Sequence, residues 1–357
     1  MSQKIHSTIL GTGHFLPENI VKGSDFLEHK FLNKKGEAFE LENDQIIEKF
    51  YGITGIAERR YADDNHVASD LGLLAAKSAI KNAQIDKEEL DYIIVAHNFG
   101  DVKKGNVRVD CMPTLASRIK QKLQIENPYC VAYDLPFGCP GWVEAMIQAN
   151  YFIKSGDAKK ILIIGTETLS RVVDPHDRDS MIYADGAGAT VLGATDSGDG
   201  IIAHLTRSDT INHGKLLWMG ESNKEDYGDD IFIKMEGRKL YNYALTHVPN
   251  MVKKCIEKAG IELSEVKKLL IHQANEKMDE AMLQRLFKLY GECNIPEGIM
   301  PMIIEKMGNN SVATVPVLLD KILRGDLENH EINSGDYVIF VSVGAGMNCN
   351  AIVYKAA

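Results

Sequence analysis

A cysteine set between two glycines, Gly138-Cys139-Pro-Gly141, lies just ahead of a run from Val143 to Ile153 whose pattern predicts a helix. Proline favours the first helical position, so Cys139 falls at or just before a helix N-terminus. The unpaired N–H groups there favour an anion. A thiolate is an anion, so the placement predicts a lowered thiol pKa and a reactive nucleophile. The plain alternative is a buried cysteine acting as a small hydrophobe. Two further polar groups stand out: His272 in Ile-His-Gln-Ala-Asn275, and Asn309 in Gly-Asn-Asn-Ser311. In one cleft, the three residue types suit acyl transfer through a thioester on Cys139. The Cys139 N–H and an N–H from Gly344-Ala-Gly346, with Gly346 the expected donor, would form an oxyanion hole. His272 and Asn309 can donate to one carbonyl oxygen. If that carbonyl belongs to a malonyl thioester, loss of CO₂ leaves an enolate held by both donors. Taken singly, His272 reads equally as a polar group at a helix start, and Asn309 as a turn residue.

The elements that must position these residues alternate. Val67 to Ala83 predicts an amphipathic helix with Leu71, Leu74, Ala75 and Ala79 on one face. Short apolar runs at Tyr92–Ala96, Ile161–Ile164 and Ala189–Leu192 predict strands buried on both faces, and Tyr129–Tyr133 predicts the strand that delivers Cys139. Ser7–Leu10 predicts a first strand ending at Gly11. The class is α/β, a sheet covered by helices. An internal repeat extends this. Ala79 to Val95 lies over Cys255 to Ile271 without a gap, Ile153-Lys-Ser-Gly-Asp157 matches Ile322-Leu-Arg-Gly-Asp326, and Gly186-Ala-Gly188 matches Gly344-Ala-Gly346, each read as preceding a strand. The repeat predicts two duplicated α/β halves, 1–195 and 196–357, packed into one layered body with a cleft where they meet. In this register Ala96 is replaced by His272, at a strand end where α/β sheets bind ligands.

Composition narrows the function further. A net charge of −10 argues against a general nucleic-acid binder, which needs a basic footprint. No apolar run approaches the roughly 20 residues that span a membrane. The start Met1-Ser-Gln-Lys-Ile lacks a signal-peptide pattern. The six cysteines contain no Cys-x-x-Cys pair, which argues against a zinc site and fits free thiols in the cytoplasm. No metal or redox cofactor is expected. Two other readings stay open: acyl transfer to an oxygen or nitrogen nucleophile without decarboxylation, and a non-catalytic partner subunit.

Several stretches together resemble the beta-ketoacyl-ACP synthase III family of the thiolase superfamily. They are Thr54-Gly-Ile-Ala-Glu-Arg-Arg60, the segment around Cys139, Tyr183-Ala-Asp-Gly-Ala-Gly-Ala-Thr-Val-Leu192, His272-Gln-Ala-Asn275, Gly308-Asn-Asn-Ser-Val-Ala-Thr-Val-Pro316 and Gly344-Ala-Gly346. The resemblance implies a thiolase-like fold of α-β-α-β-α layers, a homodimer, and Cys139, His272 and Asn309 as the triad. The substrates implied are an acyl-CoA and a malonyl thioester, with acyl carrier protein as partner and a tunnel for the phosphopantetheine arm. Lys277 matches a basic carrier-docking position, Asn275 completes the substrate-side motif, and Met112 matches a residue the partner subunit inserts into the acyl pocket. Members that start fatty acids carry a Trp and an Arg before the Thr-Gly-Ile segment to hold adenine. Lys49-Phe-Tyr-Gly-Ile53 has neither, and Pro140 replaces a small residue. These departures imply a longer or unusual acyl group, or a carrier-bound donor.

Overall fold

The computed structural model describes residues 5–357; Met1 to Lys4, on which the reading of the N-terminus partly rests, lie outside the described residues. Two mixed sheets form the body. The first contains β1 (His6–Phe15), β2 (Tyr92–His97), β3 (Val131–Pro136), β4 (Lys160–Thr168) and β5 (Asp185–Thr195), in the order β1-β5-β4-β2-β3. The second contains β6 (Gly200–Ser208), β7 (Val266–Ile271), β8 (Tyr337–Gly344) and β9 (Asn348–Lys355), in the order β7-β8-β9-β6. β3, β2 and β4 run parallel, as do β7 and β8, while β5 and β9 run antiparallel to their neighbours.

Strand alternation explains the layers, because successive side chains point to opposite faces. In β2, Ile93 and Val95 join one apolar cluster with α2 (Ala68–Ala83) and α3 (Leu115–Lys122). Ile94, between them, joins another cluster with α4 (Gly141–Ser155) and α7 (Thr314–Leu323). In β8, Val338 and Phe340 enter that same middle cluster, while Ile339 and Val341 pack with α5 (Gly237–Ala259) and α6 (Glu276–Leu289). α4, which follows Cys139, and α7 are therefore shared between the sheets, giving the α-β-α-β-α order. Continuous apolar strands follow from burial on both faces.

The duplication extends to single residues. α2 ends at Ala83, a 3-10 turn follows at Lys87–Glu89, then β2; α5 ends at Ala259, a 3-10 turn follows at Leu263–Glu265, then β7. Both helices close on a left-handed cap, Gln84 with φ 54° and Gly260 with φ 72°. The second half lacks a counterpart of β3 among the described residues; the segment beside β7 makes one backbone bond, from Leu269 N–H to Ile299 O.

Two expectations needed correction. β1 does not end at Gly11 but runs to Phe15, and Gly186-Ala-Gly188 lies inside β5 rather than before it. These glycines serve close packing. A Cβ on Gly13 would sit 2.4 Å from Ala79 N on α2, and one on Gly188 2.7 Å from Pro316 on α7.

Candidate active site

β3 ends at Pro136, and Phe137, Gly138 and Cys139 turn into α4. Gly138 takes a left-handed φ of 69°, and its carbonyl accepts the Gly141 N–H at 3.0 Å. Pro140 is the N-cap, one position earlier than expected. The C-terminal glycine stretch lies directly on this turn. A Cβ on Gly344 would fall 2.7 Å from Cys139 N, and one on Gly138 would fall 3.0 Å from Ala345 N. Side chains are excluded at both positions because two backbones meet there. Ala345 borders the cavity at Cys139, whereas Gly346 lies beyond its lining.

His272 follows β7 and is 3% exposed. Its backbone N–H donates to Val341 O at 2.9 Å, extending the β7–β8 pairing by one residue. Burial pushes the imidazole down to about 4, offset only a little by the Ser311 backbone, and Nδ1 has no hydrogen-bond partner. The ring is therefore neutral at physiological pH. Gln273, the next residue, is structural: its amide donates to Pro301 O at 2.8 Å and accepts the Ile303 N–H at 2.9 Å. Asn275 caps α6, accepting the Met278 N–H at 2.9 Å.

Asn309 is pinned by its backbone. Its N–H donates to Ile182 O at 3.0 Å, and its carbonyl accepts from Ala184 N at 2.8 Å. Its side-chain Oδ1 accepts the Ser311 N–H at 2.8 Å. That bond orients the amide and leaves Nδ2 as the donor for anything in the cleft. Cys139, His272 and Asn309 all line one cavity of about 230 Å³. The rest of its wall is mainly apolar, with Leu217, Trp218, Met219, Ile233 and Met235 coming from the hairpin Leu217–Gly220 and Phe232–Met235. The hairpin is anchored by the buried Lys234 ammonium, which reaches Asp174 at 2.6 Å and Asp177 at 3.2 Å.

The helix-start position of Cys139 predicts a lowered thiol pKa. Burial instead pushes it up to about 11, against the opposing pull of the Ser311 hydroxyl, which donates to Sγ at 3.2 Å. The resting thiol is neutral because a small apolar cavity disfavours the charged form more than the local donors favour it.

A second cavity shares Ile182, Met235, Leu240, Ala274 and Met278 with the first, and its outer part carries Lys49, Arg178, Arg238 and Asn275. The two cavities adjoin along these shared walls, the inner one at Cys139 and the outer one at the exposed side chains of Lys49, Arg178 and Arg238. Lys277 is exposed on the first turn of α6. Met112 is 88% exposed and lines neither cavity. Sequence reasoning passed over Asn98, which donates to Ser311 Oγ beside Cys139, and Glu167, which accepts from Asn98. Asn98 lies just beyond β2 and Glu167 near the end of the neighbouring parallel β4, so the strand-end rule could have flagged both. Among the described residues no group of three or more His, Cys, Asp or Glu is placed to hold a metal ion.

Residues 133–210 match the family profile described as 3-oxoacyl-[acyl-carrier-protein (ACP)] synthase III, and residues 256–356 match its C-terminal profile. The chain is 33% identical over 352 residues to beta-ketoacyl-[acyl-carrier-protein] synthase III 1 of Vibrio vulnificus, covering 98% of this chain and 100% of the relative. It is 31% identical to the Bacillus cereus protein of the same name, covering 97% and 98%. The solved structure of beta-ketoacyl-[acyl carrier protein] synthase III from Thermus thermophilus superposes with a TM-score of 0.81 at 27% identity, over 98% of this chain and 99% of that one. Sequence, layered fold and cleft agree: this chain belongs to the 3-oxoacyl-[acyl-carrier-protein] synthase III family of decarboxylating condensing enzymes.

Proposed function

We propose that Cys139 is the nucleophile, and His272 and Asn309 the enolate donors, of a decarboxylating Claisen condensation. The observation that carries this reading is the convergence of all three on one apolar cavity. In the first half-reaction Cys139 sulfur attacks the acyl thioester carbonyl, and the departing thiol takes the thiol proton. The oxyanion faces the N–H of Cys139 and that of Ala345, which replaces Gly346 in this role because it borders the cavity. In the second, the malonyl carboxylate leaves as CO₂, and the carbon–carbon bonding pair becomes an enolate. Neutral His272 and the Asn309 amide donate to its oxygen. The carbanion attacks the acyl-Cys139 carbonyl, Cys139 leaves as thiolate, and a solvent proton restores the thiol.

Acyl-CoA, and malonyl or acyl groups on carrier protein, are the substrates this reading assigns. The two adjoining cavities suit a phosphopantetheine arm, and Lys49, Arg178 and Arg238 at the outer mouth suit a phosphate. Exposed Lys277 beside that mouth suits an acidic carrier protein. The missing Trp and Arg at Lys49–Ile53 favour a longer or carrier-bound acyl donor over acetyl-CoA. A homodimer is supported by β3, an edge strand with exposed Val131, and by Met112 projecting from the nearby loop. The divide at residues 195 and 196 is supported by the sheets, since one uses only earlier residues and the other only later ones. A cytoplasmic enzyme fits six unpaired thiols.

Asn309→Ala tests the reading. Acyl loading of Cys139 should survive within a few-fold, while CO₂ release from the malonyl thioester falls about 100-fold or more. Loading that falls as much as decarboxylation would overturn the assignment of Asn309 to the enolate.

A further inference from the structure

A chain of polar groups reaches Cys139 through Ser311, the residue whose N–H also holds the Asn309 side chain. Glu167, 1% exposed, accepts the Asn98 backbone N–H on Oε1 at 2.7 Å. The same Oε1 accepts the Asn98 side-chain Nδ2 at 2.5 Å. That Nδ2 also donates to Ser311 Oγ at 2.9 Å, and Ser311 Oγ donates to Cys139 Sγ at 3.2 Å. The polarity of this chain is fixed at one point. A backbone N–H cannot reverse, so Glu167 Oε1 must be an acceptor in either protonation state. With any carboxyl proton on Oε2, that oxygen accepts from the Asn98 amide as well, which then presents N–H₂ and not its oxygen. Ser311 Oγ then receives a donor, and its own proton is left for the sulfur.

We propose that Glu167 is a positioning residue, acting through Asn98 and Ser311 to aim one hydroxyl at the Cys139 sulfur and stabilise its thiolate. The inference rests on Cys139 being the nucleophile. The thiolate occurs twice in that cycle, as the attacking group and as the group expelled after condensation. The other titratable groups near the pair are Tyr183 and His272 around the cavity and Asp185 beside Glu167. Burial pushes Glu167 up to about 8, with Asp185 adding to it, so the carboxyl carries little charge near neutral pH. Its use is then its acceptor oxygen. A full negative charge would oppose the thiolate, since Glu167 already raises the thiol pKa. The backbone supports the same end: Ser311 holds a left-handed φ of 51°, which places its hydroxyl and its N–H toward Cys139 and Asn309 respectively.

Iodoacetamide alkylation of the substrate-free enzyme tests this, followed at the Cys139 peptide by mass spectrometry from pH 7 to 10. Ser311→Ala and Ser311→Gly should each slow alkylation about tenfold, the size of one hydrogen bond to a charged group. Glycine suits the positive φ, so the pair separates lost hydroxyl from backbone strain. Asn98→Asp should also slow it, by accepting the Ser311 proton. Glu167→Gln and Glu167→Leu remove the same charge, but only leucine removes the acceptor. Alkylation in the Glu167→Gln variant should match or exceed wild type, and the Glu167→Leu variant should react about tenfold more slowly than the glutamine one. Equal rates for the two Glu167 variants, or wild-type rates in both Ser311 variants, would overturn the proposal. The assay needs no acyl substrate, so it fails independently of the condensation reading, which acyl loading of Cys139→Ala tests.

Discussion

The ends of β2 and β7 are the same structure put to different uses. Each follows a helix, a left-handed cap and a 3-10 turn. At β2 the paired positions are Ala96 and His97; at β7 they are His272 and Gln273, directly after Ile271. The later residue of each pair does the same work. His97 accepts the Gly100 N–H and donates to Asp134 on β3 at 3.0 Å. Gln273 ties the irregular segment at Pro301 and Ile303. The earlier residue differs because its surroundings differ. Ala96 lies under the start of α4, close enough that a Cβ on Gly141 would come within 3.0 Å of the Ala96 Cβ. At β7 the equivalent space is the cavity, and an imidazole fills it. One half brings Cys139 to the cavity on a tight turn; the other has space there for His272 and Asn309.

The largest expected effect of breaking this comparison is on chemistry. His272→Ala, which makes β7 resemble β2, should lower condensation about 10² to 10³-fold while acyl loading of Cys139 is affected far less. Rates of product formation and of loading, measured on one preparation, separate the two. A loss shared equally would mean that His272 acts on the nucleophile.

Next is the pH dependence. The folded pKa of His272 is depressed to about 4, below the unfolded value, so below about pH 6.5 the unfolded chain binds the extra proton. Stability from this group is therefore lost as pH falls from about 6.5 to 4, by about 3 kcal/mol. Urea unfolding across that window should show a shallower acid loss in His272→Ala than in wild type. Parallel curves would contradict a neutral buried imidazole.

The structural pair should then split. Gln273→Ala strands Pro301 O and Ile303 N–H in the interior, at a cost of about 3 kcal/mol. His97→Ala should cost less, about 1–2 kcal/mol, because β3 keeps its own ladder and Asp134 keeps the Leu115 and Ala116 N–H groups. Urea midpoints in the opposite order would mean that the segment beside β7 is held by something other than Gln273. Smallest is Ala96→Val, which should overpack the Gly141 contact and destabilise by about 1 kcal/mol. An unchanged melting temperature would show that α4 has room to move.

The sequence showed much of this because the repeat is written in residues that the structure uses in the same way. Ala83 and Ala259 end helices, and Ala96 and His272 occupy equivalent strand ends. The three cleft residues sat in short motifs, and all three line the cavity. Local patterning misread the glycines of β1 and β5 as strand boundaries, because helix-to-strand closeness is a tertiary property. The thiol pKa was misjudged because a helix N-terminus is visible in sequence and the surrounding apolar cavity is not. The hairpin carrying Trp218 and Met219 escaped for the same reason. Glu167 and Asn98 sit in no local motif and reach Cys139 only through Ser311, across strands adjacent only in the folded sheet, so the strand-end rule was the one signal for them.

The central claim is that Cys139 carries an acyl group which a malonyl-derived carbanion then removes. Intact-protein mass spectrometry after incubation with acyl-CoA esters of graded length, and then with malonyl-CoA or malonyl carrier protein, tests it directly. The account predicts a mass gain mapped to Cys139, absent in Cys139→Ala, and discharged by the malonyl thioester as a 3-oxoacyl product with loss of CO₂. An acyl group that stays on the protein after malonyl addition, or that loads equally well on Cys139→Ala, would contradict it.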